Sequence, residues 1–85
     1  MSKQSTLGNF LKNLPDFAFD YIETAYRGDS INTQIGYCID IKTFLDFLRL
    51  EKFHDVKKNE DFTPEHMNSI TIKDLNRFQA YLKEI

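Results

Sequence analysis

The feature that most constrains this chain is a run of apolar residues at helical spacing between residues 30 and 48. From about Thr33, apolar residues recur at steps of three and four, which places them on one side of a helix with 3.6 residues per turn. They are Tyr37, Cys38, Ile41, Phe44, Leu45 and Leu48. Just ahead, Asp29, Ser30 and Asn32 have side-chain oxygens that can accept a hydrogen bond from a first-turn N–H. The pattern predicts one long helix that carries the core.

A shorter helix is predicted ahead of the long one. Pro15 suits a first helical position, because its missing N–H would have no partner there. An apolar stripe then continues to Ala25, so we expect a helix from about Pro15 to Arg27, ended by Gly28 in a left-handed conformation. Before it, Gly8 weakens a short apolar spacing. We therefore expect a flexible N-terminal segment over residues 1–13 and a helical domain over 14–85.

A third helix is predicted at the end of the chain. Asp74 follows Thr71 at the spacing of a capping box, in which each residue can bond the other's backbone N–H. An apolar stripe then predicts a helix from Ile72 to about Glu84. Its members are Ile72, Leu75, Phe78, Leu82 and Ile85. Between the long helix and this one, residues 55–61 are predicted to form a solvated loop, and Thr63-Pro64 predicts the start of a short helix.

Composition supports an all-helical domain. The 85 residues include only three Gly and two Pro, and few stretches alternate between apolar and polar residues as strands do. Eight Phe and four Tyr supply the core. We expect the all-α class, with three main helices and a short one in a small bundle. One cysteine cannot form an internal disulfide, and no apolar run suits a secretory leader or a membrane span, so we expect a cytoplasmic protein.

The sequence offers little for catalysis. Cys38 with His54 or His66 could pair a nucleophile with a base, but Cys38 lies on the apolar side of the long helix, where a packed thiol is the better interpretation. The two histidines and the cysteine lack the spacing of a zinc site. The carboxylates are scattered over predicted helix exteriors and loops. We therefore expect no catalytic residue, metal or cofactor, and the net charge of −2 does not itself indicate a partner.

The outward side of the long helix leaves two alternatives open. Ile35, Ile39 and Phe47 fall off the core stripe there, and Gly36 would admit a close neighbour. Scattered exposed apolar residues are ordinary. Three on one helix, however, could form a surface that docks a partner helix, which would make the chain a protein-interaction module.

The order of several small motifs resembles the N-terminal core-binding domain, often called SAM-like, of tyrosine recombinases and phage integrases. In that family a helix ending at Gly precedes Asn-Thr at the start of a long helix, followed by Tyr, Asp and a Phe-Leu pair. The matching residues here are Gly28, Asn32-Thr33, Tyr37, Asp40 and Phe44-Leu45. The later run Ile70-Thr71, Asp74-Leu75, Phe78 and Tyr81-Leu82 resembles the family's next helix. The resemblance covers roughly residues 14–82.

The resemblance implies a domain that clamps a recombination-site duplex together with a C-terminal catalytic domain of the same parent chain and with other recombinase protomers. The start of the long helix would face the major groove, and a fourth helix, which this chain is expected to lack, usually follows. The catalytic Arg, His and Tyr of the family belong to the other domain, so this chain would not itself be an enzyme. The expected DNA-binding residues are Ser30, Asn32, Thr33, Gln34, Gly36, Lys42 and Thr43. Family members often have Arg or Lys where this chain has Cys38 and Ile39.

Overall fold

The computed structural model describes residues 3–25 and 27–84, with no side-chain description for residues 3–5 and 25. Within these ranges the chain forms five α-helices and a short 3-10 turn, and no strand. The helices are α1 (Lys3–Lys12), α2 (Asp16–Ala25), α3 (Ile31–Glu51), α4 (Pro64–Asn68) and α5 (Ile72–Glu84), and the 3-10 turn spans Asn59–Asp61. This confirms the all-α class and the small helical bundle.

The α1 helix is a correction to the flexible segment expected over residues 1–13. Leu11 is buried, and Leu7 and Phe10 pack partly buried against the same core. Gly8 lies on the exposed side of α1, with open space where a Cβ would be. The apolar side of α1 gains enough burial against α3 to outweigh the weak helix propensity of Gly8.

The turn between α2 and α3 differs from the prediction at Gly28. No glycine among the described residues has a positive φ, so Gly28 is not a left-handed helix end. The chain makes this turn without a positive φ among its described residues, and the Gln34 side chain donates to the Asp29 carbonyl at 3.0 Å. The start of α3 follows the prediction, because Ser30 is its N-cap and accepts from the Thr33 N–H at 3.2 Å.

The core forms where α1 and α2 pack against α3. Ile22, Cys38 and Leu48 are fully buried. The other buried apolar residues are Leu11, Leu14, Ala18, Leu45, Phe47, Val56 and Phe62. Burial of Cys38 confirms its predicted place among packed core residues. Val56 adds a buried contact from a loop that is otherwise largely exposed.

Phe47 is the main correction on α3. It was placed on the outward side of the long helix, yet only 3% of it is exposed. Its ring lies 5.3 Å from that of Phe78 and 5.2 Å from that of Tyr81, both on α5. A helix wheel shows which residues share a face, but it does not show that α5 returns across this part of α3.

The α5 helix has the predicted bounds, but the residues that face the core differ from the predicted apolar stripe. Phe78 and Tyr81 pack on α3, whereas Ile72 is 77%, Leu75 46% and Leu82 44% exposed. We call these three exposed residues the α5 apolar face. Ile85, the last member of the predicted stripe, lies outside the described residues.

Both α4 and α5 start with hydrogen bonds between side chains and backbone N–H groups. The Thr71 N–H donates to Asp74 Oδ2 at 2.9 Å, and the Asp74 N–H donates to Thr71 Oγ1 at 3.2 Å, which confirms the predicted capping box. At α4, the Thr63 N–H donates to His66 Nδ1 at 3.0 Å. The short helix was predicted, but the use of a histidine as its capping partner was not.

Candidate nucleic-acid interface

The predicted site residues nearest the start of α3 form a local hydrogen-bonded cap. Ser30 is extended, with φ −63° and ψ 155°, and its hydroxyl lies 2.9 Å from that of Thr33. The Gln34 amide is engaged with the Asp29 carbonyl. These contacts hold the first turn in place, so Ser30, Thr33 and Gln34 position the end of the helix.

Asn32 and Gly36 are the open positions of the same helix end. The Asn32 side chain is exposed and makes no hydrogen bond within the described residues. A Cβ at Gly36 would meet nothing within 4 Å, so the close neighbour imagined for this glycine is not present. The Asn32 amide and the backbone at Gly36 therefore lie near the N-terminal end of this 21-residue helix, which is the positive end of its dipole.

Lys42 and Thr43 lie apart from that cluster. At 1.5 Å per residue, Lys42 is about 15 Å further along the axis than Asn32. The Thr43 hydroxyl donates to the Ile39 carbonyl of its own helix at 2.9 Å, and Lys42 Nζ donates to Asp46 Oδ2 at 2.7 Å. The predicted DNA-binding residues thus form two groups on α3, with the N-terminal group separate from Lys42 and Thr43.

Sequence reasoning missed a polar network around Asp46. Arg49 Nη2 and Asn59 Nδ2 donate to Asp46 Oδ1 at 3.0 and 2.8 Å, and Arg49 Nε donates to Asn59 Oδ1 at 2.7 Å. Arg49 Nη1 also donates to the Lys57 carbonyl at 2.8 Å. The network ties the segment that follows α3 back onto that helix. The i, i+3 and i, i+4 spacing of Lys42, Asp46 and Arg49 was visible, but the role of Asn59 depends on the path of the loop.

Electrostatics at Asp46 favour its charged form. Partial burial by itself would raise the pKa of this carboxyl group, but hydrogen bonds from Lys42, Asn59 and Arg49 outweigh that effect and lower its pKa below the ordinary value. Two cations thus share one carboxylate, and the group as a whole keeps a positive charge.

A cavity of about 340 Å³ lies between α1, α3 and the 3-10 turn. Phe10 and Leu14 form its apolar part, and Lys42 is the one charged side chain that lines it. Thr6, Asn9, Asn13 and Asn59 supply the polar lining. The cavity brings Lys42 next to α1, a neighbour that the expected flexible segment did not provide.

A second, more apolar depression of about 330 Å³ lies between α2, α3 and α4. It is lined by Phe17, Ala18, Tyr21, Ile41, Phe44, Leu45 and Met67. The Phe44 ring lies 4.8 Å from that of Phe78, and Leu75 and Leu82 flank Phe78 at helical spacing. Phe44 thus lines this depression and also contacts α5.

Cys38, His54 and His66 lie in three different settings. Burial leaves Cys38 without exposed surface and raises the pKa of its thiol. The His66 ring takes part in the cap of α4, and His54 is exposed.

Among the described residues, no three His, Cys, Asp or Glu side chains come together in a way that could hold a metal ion. None of the helices in residues 3–25 and 27–84 combines the length and apolar character needed to cross a bilayer. Comparison with protein-family models, curated proteins and solved structures finds no match to this chain.

Proposed function

We propose that this chain is the DNA-binding, SAM-like N-terminal domain of a site-specific tyrosine recombinase or integrase, with the start of α3 directed at the major groove. The observation that carries the proposal is the open N-terminus of α3, where Asn32 is exposed and unbonded. First-turn N–H groups and the positive end of the helix dipole favour phosphate, and an Asn amide can pair with the N6 and N7 edge of adenine.

In this proposal the domain holds DNA and does not cut it. Strand cleavage and rejoining belong to a separate C-terminal catalytic domain of the parent chain, and other recombinase protomers occupy the same DNA in the cytoplasm. The net charge of −2 gives no overall attraction to DNA, so affinity depends on local contacts from Lys and Arg and decreases steeply with salt.

A duplex titration followed by NMR tests the groove-facing role of α3. We expect shift changes at residues 30–36 and at Lys42 in low salt. Asn32→Ala should weaken binding to an adenine-containing duplex by at least about fivefold, since a good side-chain contact to a base contributes about 1–3 kcal/mol. Asn76→Ala is the matched control, because Asn76 is an exposed amide on α5. Shift changes confined to residues 55–61, or none at all, would contradict this role.

We further propose that a fourth helix, which the resemblance implies, covers the α5 apolar face in a longer form of the protein. The exposure of Ile72, Leu75 and Leu82, beside a depression lined almost entirely by apolar groups, supports this proposal. Such a helix would bury apolar surface at about 25 cal/mol per Å². In the proposed DNA clamp, this fourth helix would also lie beside α3.

A helical protein-interaction module is the second candidate function, and the apolar depression favours it. Of the three apolar residues expected on its docking surface along α3, Phe47 is covered by α5 and Ile39 remains exposed. The depression beside Phe44 and the α5 apolar face would instead hold the partner helix. This candidate predicts shift changes on α2 and α5 with an amphipathic helical peptide, and none at residues 30–36 with DNA.

A further inference from the structure

Charge is unevenly distributed among the surface depressions of this domain. The cavity beside α1 has Lys42 as its only charged lining residue. A neighbouring depression of about 360 Å³ is lined by Arg49 and Lys57 together with Asp46. We call the joint lining of these two depressions the Lys42–Lys57 surface. A third depression, of about 440 Å³, is lined by four carboxylates and no cation: Asp16, Asp20, Glu60 and Asp61.

The Asp46 network holds the Lys42–Lys57 surface in shape. Lys42 uses one of its three ammonium donors on Asp46, and 53% of its side chain is exposed. Arg49 uses three of its five N–H donors on Asp46, Asn59 and the Lys57 carbonyl, and its charge adds to that of the surface. The Lys57 side chain is exposed and forms no ion pair within the described part of the chain. Two ammonium groups therefore remain accessible to an anion.

The α1 helix adds polar groups without adding negative charge. The sequence of Lys3–Lys12 contains no acidic residue. Its Asn9 side chain and that of the following Asn13 line the cavity beside Lys42. Amide groups and lysines are common partners of phosphate oxygens. Such contacts position a protein on nucleic acid without reading its sequence.

We propose that the Lys42–Lys57 surface contacts the phosphate backbone of duplex DNA, whereas the acidic depression does not. The inference rests on the proposed function and assigns it a second contact surface. Lys42 lies about 15 Å along α3 from Asn32, and the major groove is about 12 Å wide. With the start of α3 in the groove, Lys42 reaches the strand that borders it. A chain of net charge −2 needs such segregation of charge to approach a polyanion.

The test is the salt dependence of duplex affinity, measured by fluorescence anisotropy. Each phosphate contact contributes about 0.9 to the slope of log K against log salt, so K42Q/K57Q should lower the slope by about 2. The matched control is K73Q/R77Q, which removes the same charge from exposed α5 residues without ion pairs. K57Q alone leaves the Asp46 network intact and should lower the slope by about 1.

Four outcomes decide the inference. A loss of slope in K42Q/K57Q and K57Q but not in K73Q/R77Q supports it. Equal losses in the two double variants would show an effect of net charge and overturn it. An unchanged slope in K42Q/K57Q would overturn the inference while leaving the proposed function standing. No duplex binding by the unaltered chain even in low salt would overturn the proposed function, and this inference with it.

Discussion

At the residue scale, Asp74 links the start of α5 to the end of α3. Its Oδ2 atom accepts from Lys52 Nζ at 2.6 Å and from the Thr71 N–H at 2.9 Å, and Lys52 also donates to the Ser69 carbonyl at 2.7 Å. The Lys52 hydrogen bond, followed by that of the Thr71 backbone, lowers the pKa of Asp74 from 3.8 to about 2. One carboxylate thus caps one helix and fastens it to another.

This depressed pKa predicts a pH dependence of stability. Because the folded-state pKa lies below the unfolded one, the stabilisation is present above about pH 4 and is lost as pH falls toward 2. Asp74→Asn should lower the urea midpoint at pH 7 and flatten its decline between pH 4 and 2. Asp55→Asn, at an exposed loop position, is the control and should keep the decline of the unaltered chain. An equally steep decline in Asp74→Asn would contradict the role of this carboxylate.

Cys38 gives a second prediction at this scale. The thiol has no exposed surface and its pKa is raised by burial, so a thiol reagent can react only when the structure opens. Modification of the folded protein should be far slower than in denaturant, and should accelerate as urea approaches the unfolding midpoint. Equal rates with and without denaturant would mean that this side of α3 is not buried.

At the element scale, α1 is the helix with the most to test. Leu11→Ala should lower the free energy of unfolding by about 2–4 kcal/mol, because Leu11 is buried. Gly8→Ala should stabilise by about 0.5–1 kcal/mol, since a Cβ there meets open space and alanine favours a helix. Urea unfolding measures both. A flexible segment would leave both variants at the midpoint of the unaltered chain.

Phe47 tests how α5 covers α3. Phe47→Ala should cost about 3–5 kcal/mol, and Phe47→Leu offers a milder change if the alanine variant fails to fold. Ile39→Ala, on the same helix at a position that is 44% exposed, should cost less than about 1 kcal/mol. Similar costs for Phe47→Ala and Ile39→Ala would restore Phe47 to the outward side of α3.

These elements show where sequence patterns suffice and where they do not. Local signals predicted a cap among Asp29, Ser30 and Asn32, the Thr71–Asp74 capping box and the bounds of α5, because each depends on residues within one turn. Burial of Phe47 and exposure of Leu75 depend on how α5 crosses α3, which no local period encodes. For the candidate site, the start of α3 was predictable from its cap. The Asp46 network was not, because Asn59 reaches it through a loop.

At the scale of the whole molecule, a fully buried core is accompanied by apolar surface that stays uncovered. Ile22 and Leu48 are fully buried in the core. The apolar depression beside Phe44 and the α5 apolar face make up the uncovered apolar surface. A domain of this size buries only about 60–65% of its chain surface on folding. Apolar surface that stays uncovered therefore forgoes a substantial part of the hydrophobic stabilisation available to it.

The uncovered apolar surface leads to the last prediction, a comparison of the 85-residue chain with a form extended by about thirty residues, enough for a turn and one helix. Leu75→Lys/Leu82→Lys should change the stability of the shorter chain little, by about 0.5 kcal/mol per site, since both residues are about half exposed. In the longer form the same pair should cost several kcal/mol, because the fourth helix would bury both positions. Leu50→Lys, 60% exposed on α3, should be nearly neutral in both forms. Equal effects of the double variant in the two forms would mean that the α5 apolar face is reserved for a partner molecule, as the protein-interaction candidate requires.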